Sequence, residues 1–362
     1  MRVLIAPDKF AGTLSAVQAG EAISQGWARQ APHDVLDCAP MADGGPGFVE
    51  VLHACLGGDL LSTAVRGPFG TPVPATLLLV GTDGYVESAQ ACGRHLLGQG
   101  DPERASTFGV GQLVLAAVEA GAHRVVVGLG GSGTTDGGAG LLAALGAVAD
   151  RPLDGGPLGL AGVGHLDLAP ARAAVARVEL VAACDVDNPL TGLFGAARTY
   201  GPQKGLAEER LPAVDAALEQ FAAAGDRRVS LAAGAGAAGG LGYALLLLGA
   251  GRKPGVELVA EAVGLPERAR AADLVITGEG AFDYSSRSGK VPYGVAQIAA
   301  QALRPCIVLA GQVSVGSREM RALGVESAYS LVDLVGEQRA LATPDLALAD
   351  LAARVARSWS QP

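Results

Sequence analysis

Lysine is scarce in this chain, and three of its lysines, Lys9, Lys204 and Lys290, stand beside a glycine loop or a strand end. Such a lysine can neutralise a phosphate as a point charge. Asp43, Asp136, Glu279 and Asp283 also sit in or next to glycine loops. There a carboxylate could ligate Mg²⁺ or accept a hydroxyl proton, and equally it could only close a turn or cap a helix. Asp185-Val186-Asp187 follows an apolar run and is stopped by Asn188-Pro189. In an extended chain its two carboxylates point the same way, so either a Mg²⁺ ion lies between them or the segment is a solvated turn.

Five segments combine glycine with acid, hydroxyl, amide or lysine groups: 42–45, 128–138, 201–205, 234–242 and 278–280. Glycine permits positive φ, and it lets backbone N–H groups approach an anion with no Cβ in the way. A single such loop could be a tight turn only, whereas five together point to a phosphate or carboxylate site. Residues 128–133 match G-x-G-x-x-G behind a strand, which keeps a NAD-dependent dehydrogenase open as an alternative. The match fails its context, because 134–138 prolong the loop before a helix can start and Asp150 follows a poor second strand. No G-x-x-x-x-G-K-[ST] is present, so a kinase built on this chain is not a P-loop kinase. His33, His53, His95, His123 and His165 share no spacing, and Ser132 does not lie in a nucleophile elbow, which leaves hydrolase chemistry without support.

The 53 glycines in 362 residues are about twice the usual share, yet 49% of the chain is hydrophobic, which excludes a disordered or collagenous protein. A net charge of −9 argues against nucleic acid, though not against an anion in a local pocket. Five scattered cysteines and an early acidic residue in place of a leader fit reduced cytoplasmic thiols. The uncharged run 229–251 is long enough for a bilayer, but its glycine–alanine half reads as a loop opening into a buried helix. The expected partner is a small molecule, with no membrane or nucleic acid, and a homo-oligomer is left open.

These groups need elements to hold them. Val3–Ile5 reads as a strand, Ser15 and Gln18 as a capping box, and Ala16, Ala19, Ile23 and Trp27 as the buried face of the helix that follows. Val35–Ala39 is a second strand, and the unit returns over 110–127 and again over 273–310. Alternation of this kind predicts a parallel sheet with helices on both faces. Segment 58–99 instead has short strands joined by Gly-Pro, Thr-Pro and Asp-Gly turns, which is meander chemistry. The expected fold is therefore α/β with two domains. One is a discontinuous Rossmann-like or flavodoxin-like parallel-sheet domain (1–57, 100–136 and 259–362), and the other a mixed α/β domain inserted in it (58–99 and 137–258).

Six ordered motifs, beginning with Ala6–Phe10, Pro40–Gly45 and Gly130–Gly140, resemble the bacterial glycerate kinase family, in its glycerate 2-kinase branch. The others are Ala183–Leu190, Gly201–Gly205 and Gly234–Gly242. A seventh is Thr277–Gly280 with Asp283 and Gly289-Lys290. The resemblance implies an enzyme, a phosphotransferase that uses ATP and Mg²⁺ to convert D-glycerate to 2-phosphoglycerate in a cleft between two α/β domains. Carried onto matching positions, Gly130, Gly131, Thr134, Gly278, Gly280 and Asp283 would bind ATP, and Asp187 and Glu279 would bind Mg²⁺. Asp8, Lys9, Ser132 and Lys204 would hold the substrate, with Lys9 on its carboxylate, while Asp43, Asp136 and Lys290 would be catalytic. Three positions depart from the family pattern: Ala11 in place of a lysine, Pro46 in place of a glutamate, and Tyr284-Ser285-Ser286 where a glutamine usually follows. Those departures keep a non-catalytic sensor of a phosphorylated metabolite open as a second alternative.

Overall fold

Short runs, many of them rich in valine, isoleucine and leucine, become thirteen strands among the described residues. In chain order they are β1 (Arg2–Ile5), β2 (Val35–Cys38), β3 (Asp59–Arg66), β4 (Pro72–Val80), β5 (Asp83–Glu87), β6 (Arg124–Gly128), β7 (Val148–Ala149), β8 (Leu166–Asp167), β9 (Glu179–Ala183), β10 (Gly251–Lys253), β11 (Leu274–Phe282), β12 (Cys306–Val313) and β13 (Ser327–Ser330). The computed structural model describes residues 1–284 and 290–360. The chain divides into two compact α/β units, one of Met1–Asp43, Glu50–Leu56 and Gly255–Pro362, the other of Gly44–Val49 and Gly57–Pro254.

The first unit is built on a parallel sheet of order β13-β12-β11-β1-β2. From β1 the chain winds outward to β2, and from β11 it winds the other way to β12 and β13, so the order reverses between β1 and β11. Open α/β sheets bind ligands outside the carboxyl ends of the strands at such a switch point. The helix Ala16–Gln30 starts at the Ser15–Gln18 capping box, with the Gln18 amide donating to Ser15 Oγ at 3.3 Å and the Ser15 amide to Gln18 Oε1 at 3.0 Å. Its buried face includes Ala16, Ala19, Ile23 and Trp27, as their helical spacing predicts. It packs on the helix Pro344–Trp359, so closely at Gly26 that a Cβ there would run into the Ala349 carbonyl.

The second unit is built on a mixed sheet of order β10-β9-β6-β5-β4-β3. β3 to β5 form the antiparallel meander that their turns predict, and β5, β6, β9 and β10 run parallel. The expectation that 100–136 belongs with the first sheet does not match this pairing, because Val127 of β6 lies opposite Val86 of β5 and Ala182 of β9. A strand followed by a glycine loop looks alike locally in both sheets, and only the partner strands distinguish them. The core of this unit closes around Phe221 and Tyr243, whose rings meet edge-on at 5.8 Å. Leu241–Leu247 is a short, mostly buried helix, as expected for the end of the uncharged run. Among the described residues no helix is long and apolar enough to cross a membrane.

Candidate active site

In the first unit the chain leaves β1 through Ala6 and Asp8, whose amides donate to Ile276 O at 2.7 Å and Gly278 O at 2.8 Å on β11. This extension of the ladder places Asp8 and Lys9 at the switch point. Asp8 is buried, and Lys9 Nζ lies 3.4 Å from Asp8 Oδ1 and 3.4 Å from Asp43 Oδ1. Burial pushes the Asp8 carboxyl up to about 6, with Lys9 pulling it down and Asp43 pushing it up. Burial also works against the Lys9 ammonium, but Asp43 and Asp8 outweigh that and hold its pKa above the usual lysine value. Lys9 is therefore neutralised by two acids of its own unit, which weakens it as the partner of a substrate carboxylate. The cluster suits another task, since a carboxylate held in place beside a lysine can serve as a general base.

This burial has a pH signature. The folded chain holds the Asp8 proton more tightly than the unfolded one, so its contribution to stability is full below the ordinary value of 3.8 and is lost as pH rises through about 6. A rise from 3.8 to about 6 is worth about 3 kcal/mol. Asp8→Asn should accordingly gain Tm relative to wild type as pH rises from about 4 to about 7.5. Thermal unfolding across that range checks it, and a Tm difference that does not change with pH would refute it.

Glu279 is also buried, with Lys290 Nζ at 3.7 Å from its Oε2, and Asp283 follows the end of β11. Gly278 and Gly280 lie on β11 itself, where a Cβ at Gly278 would run into Leu309 O. Ser285, Ser286 and Gly289, which belong to the sequence expectations for this loop, lie outside the described residues.

In the second unit the loop after β6 does not turn directly into a helix. The helix begins only at Ala139, and Asp150 follows β7, which pairs with β8 in a separate two-stranded ribbon. The dinucleotide geometry is therefore absent. The loop is packed backbone against backbone: Gly130 N donates to Gly44 O at 3.1 Å, and a Cβ at Gly130 would run into Gly45. Pro46 packs on Gly131, where a Cβ would lie 2.6 Å from its ring.

Asp136 is fully buried and accepts from Thr107 N (2.8 Å), Thr107 Oγ1 (2.8 Å), Gly138 N (3.1 Å) and Gly140 N (3.2 Å). Burial raises its pKa, and those donors oppose the rise. A carboxylate so completely occupied clasps its own loop, and that geometry leaves it little capacity to accept a proton from a ligand.

Lys204, from the G-P-Q-K-G segment, is 6% exposed, and its Nζ donates to Thr134 O at 2.7 Å and Ser132 Oγ at 3.1 Å. The sequence assigns these three residues to the site, and the structure brings them together. Burial pushes the Lys204 ammonium down to about 8, with Cys92 and Asp136 opposing and Arg94 adding to the fall. Lys204 borders a pocket of about 210 Å³ that Gly130, Gly131, Ser132, Gln203, Tyr200 and Arg94 help to line. Tyr200 and Arg94 carry no sequence signal of their own, whereas Gln203 lies inside the glycine segment. Glu87, at the end of β5, is another unanticipated buried acid, and it accepts from Gly47 N at 3.1 Å at the start of the helix Phe48–Leu56.

The two acids expected to hold Mg²⁺ belong to different units, Asp187 to the second and Glu279 to the first. Asp187 is exposed and ion-paired to Arg252 at 2.6 Å, whereas Asp185 is half-buried, so the pair does not share one environment. Among the described residues no group of three or more His, Cys, Asp and Glu side chains could hold a metal ion. A Mg²⁺ ion carried by phosphates needs only one or two carboxylates. Glu279 on β11 and Asp283 just past its end are each hard oxygen donors, and either one could meet that requirement.

Residues 3–360 match the family model described as the glycerate kinase family. The chain is 40% identical to the glycerate kinase of Bacillus subtilis over 92% of its own length and 90% of the relative's. It is 37% identical to the glycerate 2-kinase of Escherichia coli K12, covering 93% of this chain and 92% of that one. A crystal structure of a glycerate kinase 2 from Salmonella typhimurium LT2 superposes with a TM-score of 0.83 at 35% identity, over 99% of this chain and 98% of the other. An α/β chain with glycine loops, buried lysine and clustered acids thus falls among the phosphotransferases that act on an alcohol group. The chain belongs to the glycerate kinase family, and its activity is that of a kinase on glycerate.

Proposed function

We propose that the chain transfers the γ-phosphoryl group of ATP, with Mg²⁺, to the 2-hydroxyl of D-glycerate, giving 2-phosphoglycerate and ADP. The observation that carries the mechanism is the Asp8–Lys9–Asp43 cluster at the switch point of the first unit. The Escherichia coli relative, a glycerate 2-kinase, supports the choice of hydroxyl. Asp43 is the more exposed of the two acids, at 32% against 9% for the Asp8 side chain, and it takes the hydroxyl proton as the oxygen attacks phosphorus and the bond to ADP breaks. Lys9, which also meets Asp8, sets its orientation.

On this reading the glycine segments 128–138 and Gly278–Gly280 would receive phosphates, Lys290 would supply positive charge, and Ser132 and Lys204 would bind the acceptor. Glu279 or Asp283 would hold Mg²⁺, which would supply neutralisation of the nucleotide phosphates. Phosphoryl transfer asks for little more than such positioning and electrostatics.

A coupled ADP-release assay with D-glycerate, ATP and Mg²⁺, followed by phosphorus NMR of the product, tests this proposal. Turnover to 2-phosphoglycerate that is lost on chelation is expected. The 3-isomer would overturn the regiochemistry, and a folded protein without turnover would favour the metabolite sensor.

A further inference from the structure

Lys204 is a buried cation for which its own unit offers no carboxylate within ion-pair distance among the described residues. Its two hydrogen bonds, to Ser132 Oγ and Thr134 O, leave one of three N–H donors for another partner. Taking an unpaired ammonium out of water is costly unless an anion joins it. The pocket beside it has no acid in its lining, although the whole chain carries a net charge of −9. A second cation borders the same space: Arg94 is exposed, and no hydrogen bond or ion pair of its guanidinium is present among the described residues. Its backbone is fixed instead, since Arg94 N donates to Gly131 O at 3.1 Å and Gly93 bridges to Ser132. At about 210 Å³ the space suits a small organic acid and is below the ~300 Å³ where pockets for larger ligands begin.

We propose, building on the glycerate kinase reading, that this pocket is the carboxylate subsite of the acceptor. In it Arg94 takes the carboxylate as a fork and Lys204 as a point charge. Arg94 is then the residue that selects a hydroxy acid over a neutral polyol or amide of the same size. The ammonium held near 8 gives a secondary mark, because anion affinity should fall as pH rises through that value.

The test compares wild type with Arg94→Ala and Arg94→Lys, using D-glycerate and its neutral analogue glyceramide. Both variants should fold, since the side chain has no protein partner to lose among the described residues. For Arg94→Ala, KM for D-glycerate should rise about 10–100-fold and KM for ATP stay within about twofold, with preference over glyceramide falling by the same factor. Arg94→Lys should recover part of the loss. A thermal shift with D-glycerate alone, without nucleotide, should be large for wild type and small for Arg94→Ala. An unchanged KM for D-glycerate, or a rise confined to ATP, would overturn the inference while leaving the kinase reading intact. If wild type shows no turnover, the kinase reading falls, and the thermal shift still decides the pocket: an Arg94-dependent shift upholds it and no shift overturns it.

Discussion

Asp43→Asn should lower kcat for D-glycerate about 10²–10⁴-fold, the range over which a positioned general base acts. Asparagine keeps the shape of the side chain and one oxygen for Lys9 Nζ, now 3.4 Å away, but it cannot take a proton. The loss should fall on kcat, with KM for D-glycerate within about threefold, because an interaction realised only in the transition state is removed. The variant also frees Lys9 from one of its two acids. Of the pair only Asp8 then remains charged beside it, and any acid limb of the kcat profile should shift to lower pH. Steady-state kinetics between about pH 5 and 9 checks both effects. A kcat within about twofold of wild type would remove Asp43 from the chemistry.

Asp136→Ala should act on stability rather than on turnover. Four donors from Thr107, Gly138 and Gly140 converge on this one buried carboxylate, and alanine leaves all of them without that acceptor. The expected loss is about 3–5 kcal/mol, the range for breaking a buried charged network. For a unit of this size that lowers Tm by roughly 6–20 °C. At low temperature, where the variant stays folded, kcat should remain within about threefold of wild type. Thr107→Val offers a milder version, since it deletes one donor and keeps the backbone N–H bond. An Asp136→Ala protein with unchanged Tm and a kcat reduced a hundredfold would return this residue to catalysis.

Much of the chemistry is legible in the sequence because it is local. Glycine marks the loops, and the scarcity of lysine points to Lys204, which the fold buries against Ser132 and Thr134. The Ser15–Gln18 cap and the meander of β3 to β5 are readable for the same reason: each depends on residues close in sequence. What escapes depends on partners far along the chain. The valines of β6 specify a strand but not that it pairs with β9, some fifty residues later. Asp136 reads like any acid in a glycine loop until Thr107 closes over it. Arg94 has no motif, and the bridge from Gly93 to Ser132 together with its own N–H bond to Gly131 O brings it to the pocket. Lys9 as a carboxylate ligand is natural in isolation, and its two acidic neighbours give that charge another use.

The order of strands in the first unit also sets a timetable for synthesis. β1 is sandwiched between β2, which leaves the ribosome almost with it, and β11, which begins only at Leu274. Between Cys38 and Leu274 lie about 235 residues, or roughly 12–50 s of translation at ~5–20 residues per second. Throughout that interval the hydrogen-bonding edge of β1 that will meet β11 has no native partner, while the long segment 57–254 of the second unit is emerging without interruption. The nascent enzyme thus carries an open strand edge flanked by Val3, Leu4 and Ile5 for most of its manufacture, and the Asp8–Lys9–Asp43 cluster acquires its backing strand only in the last quarter of the chain.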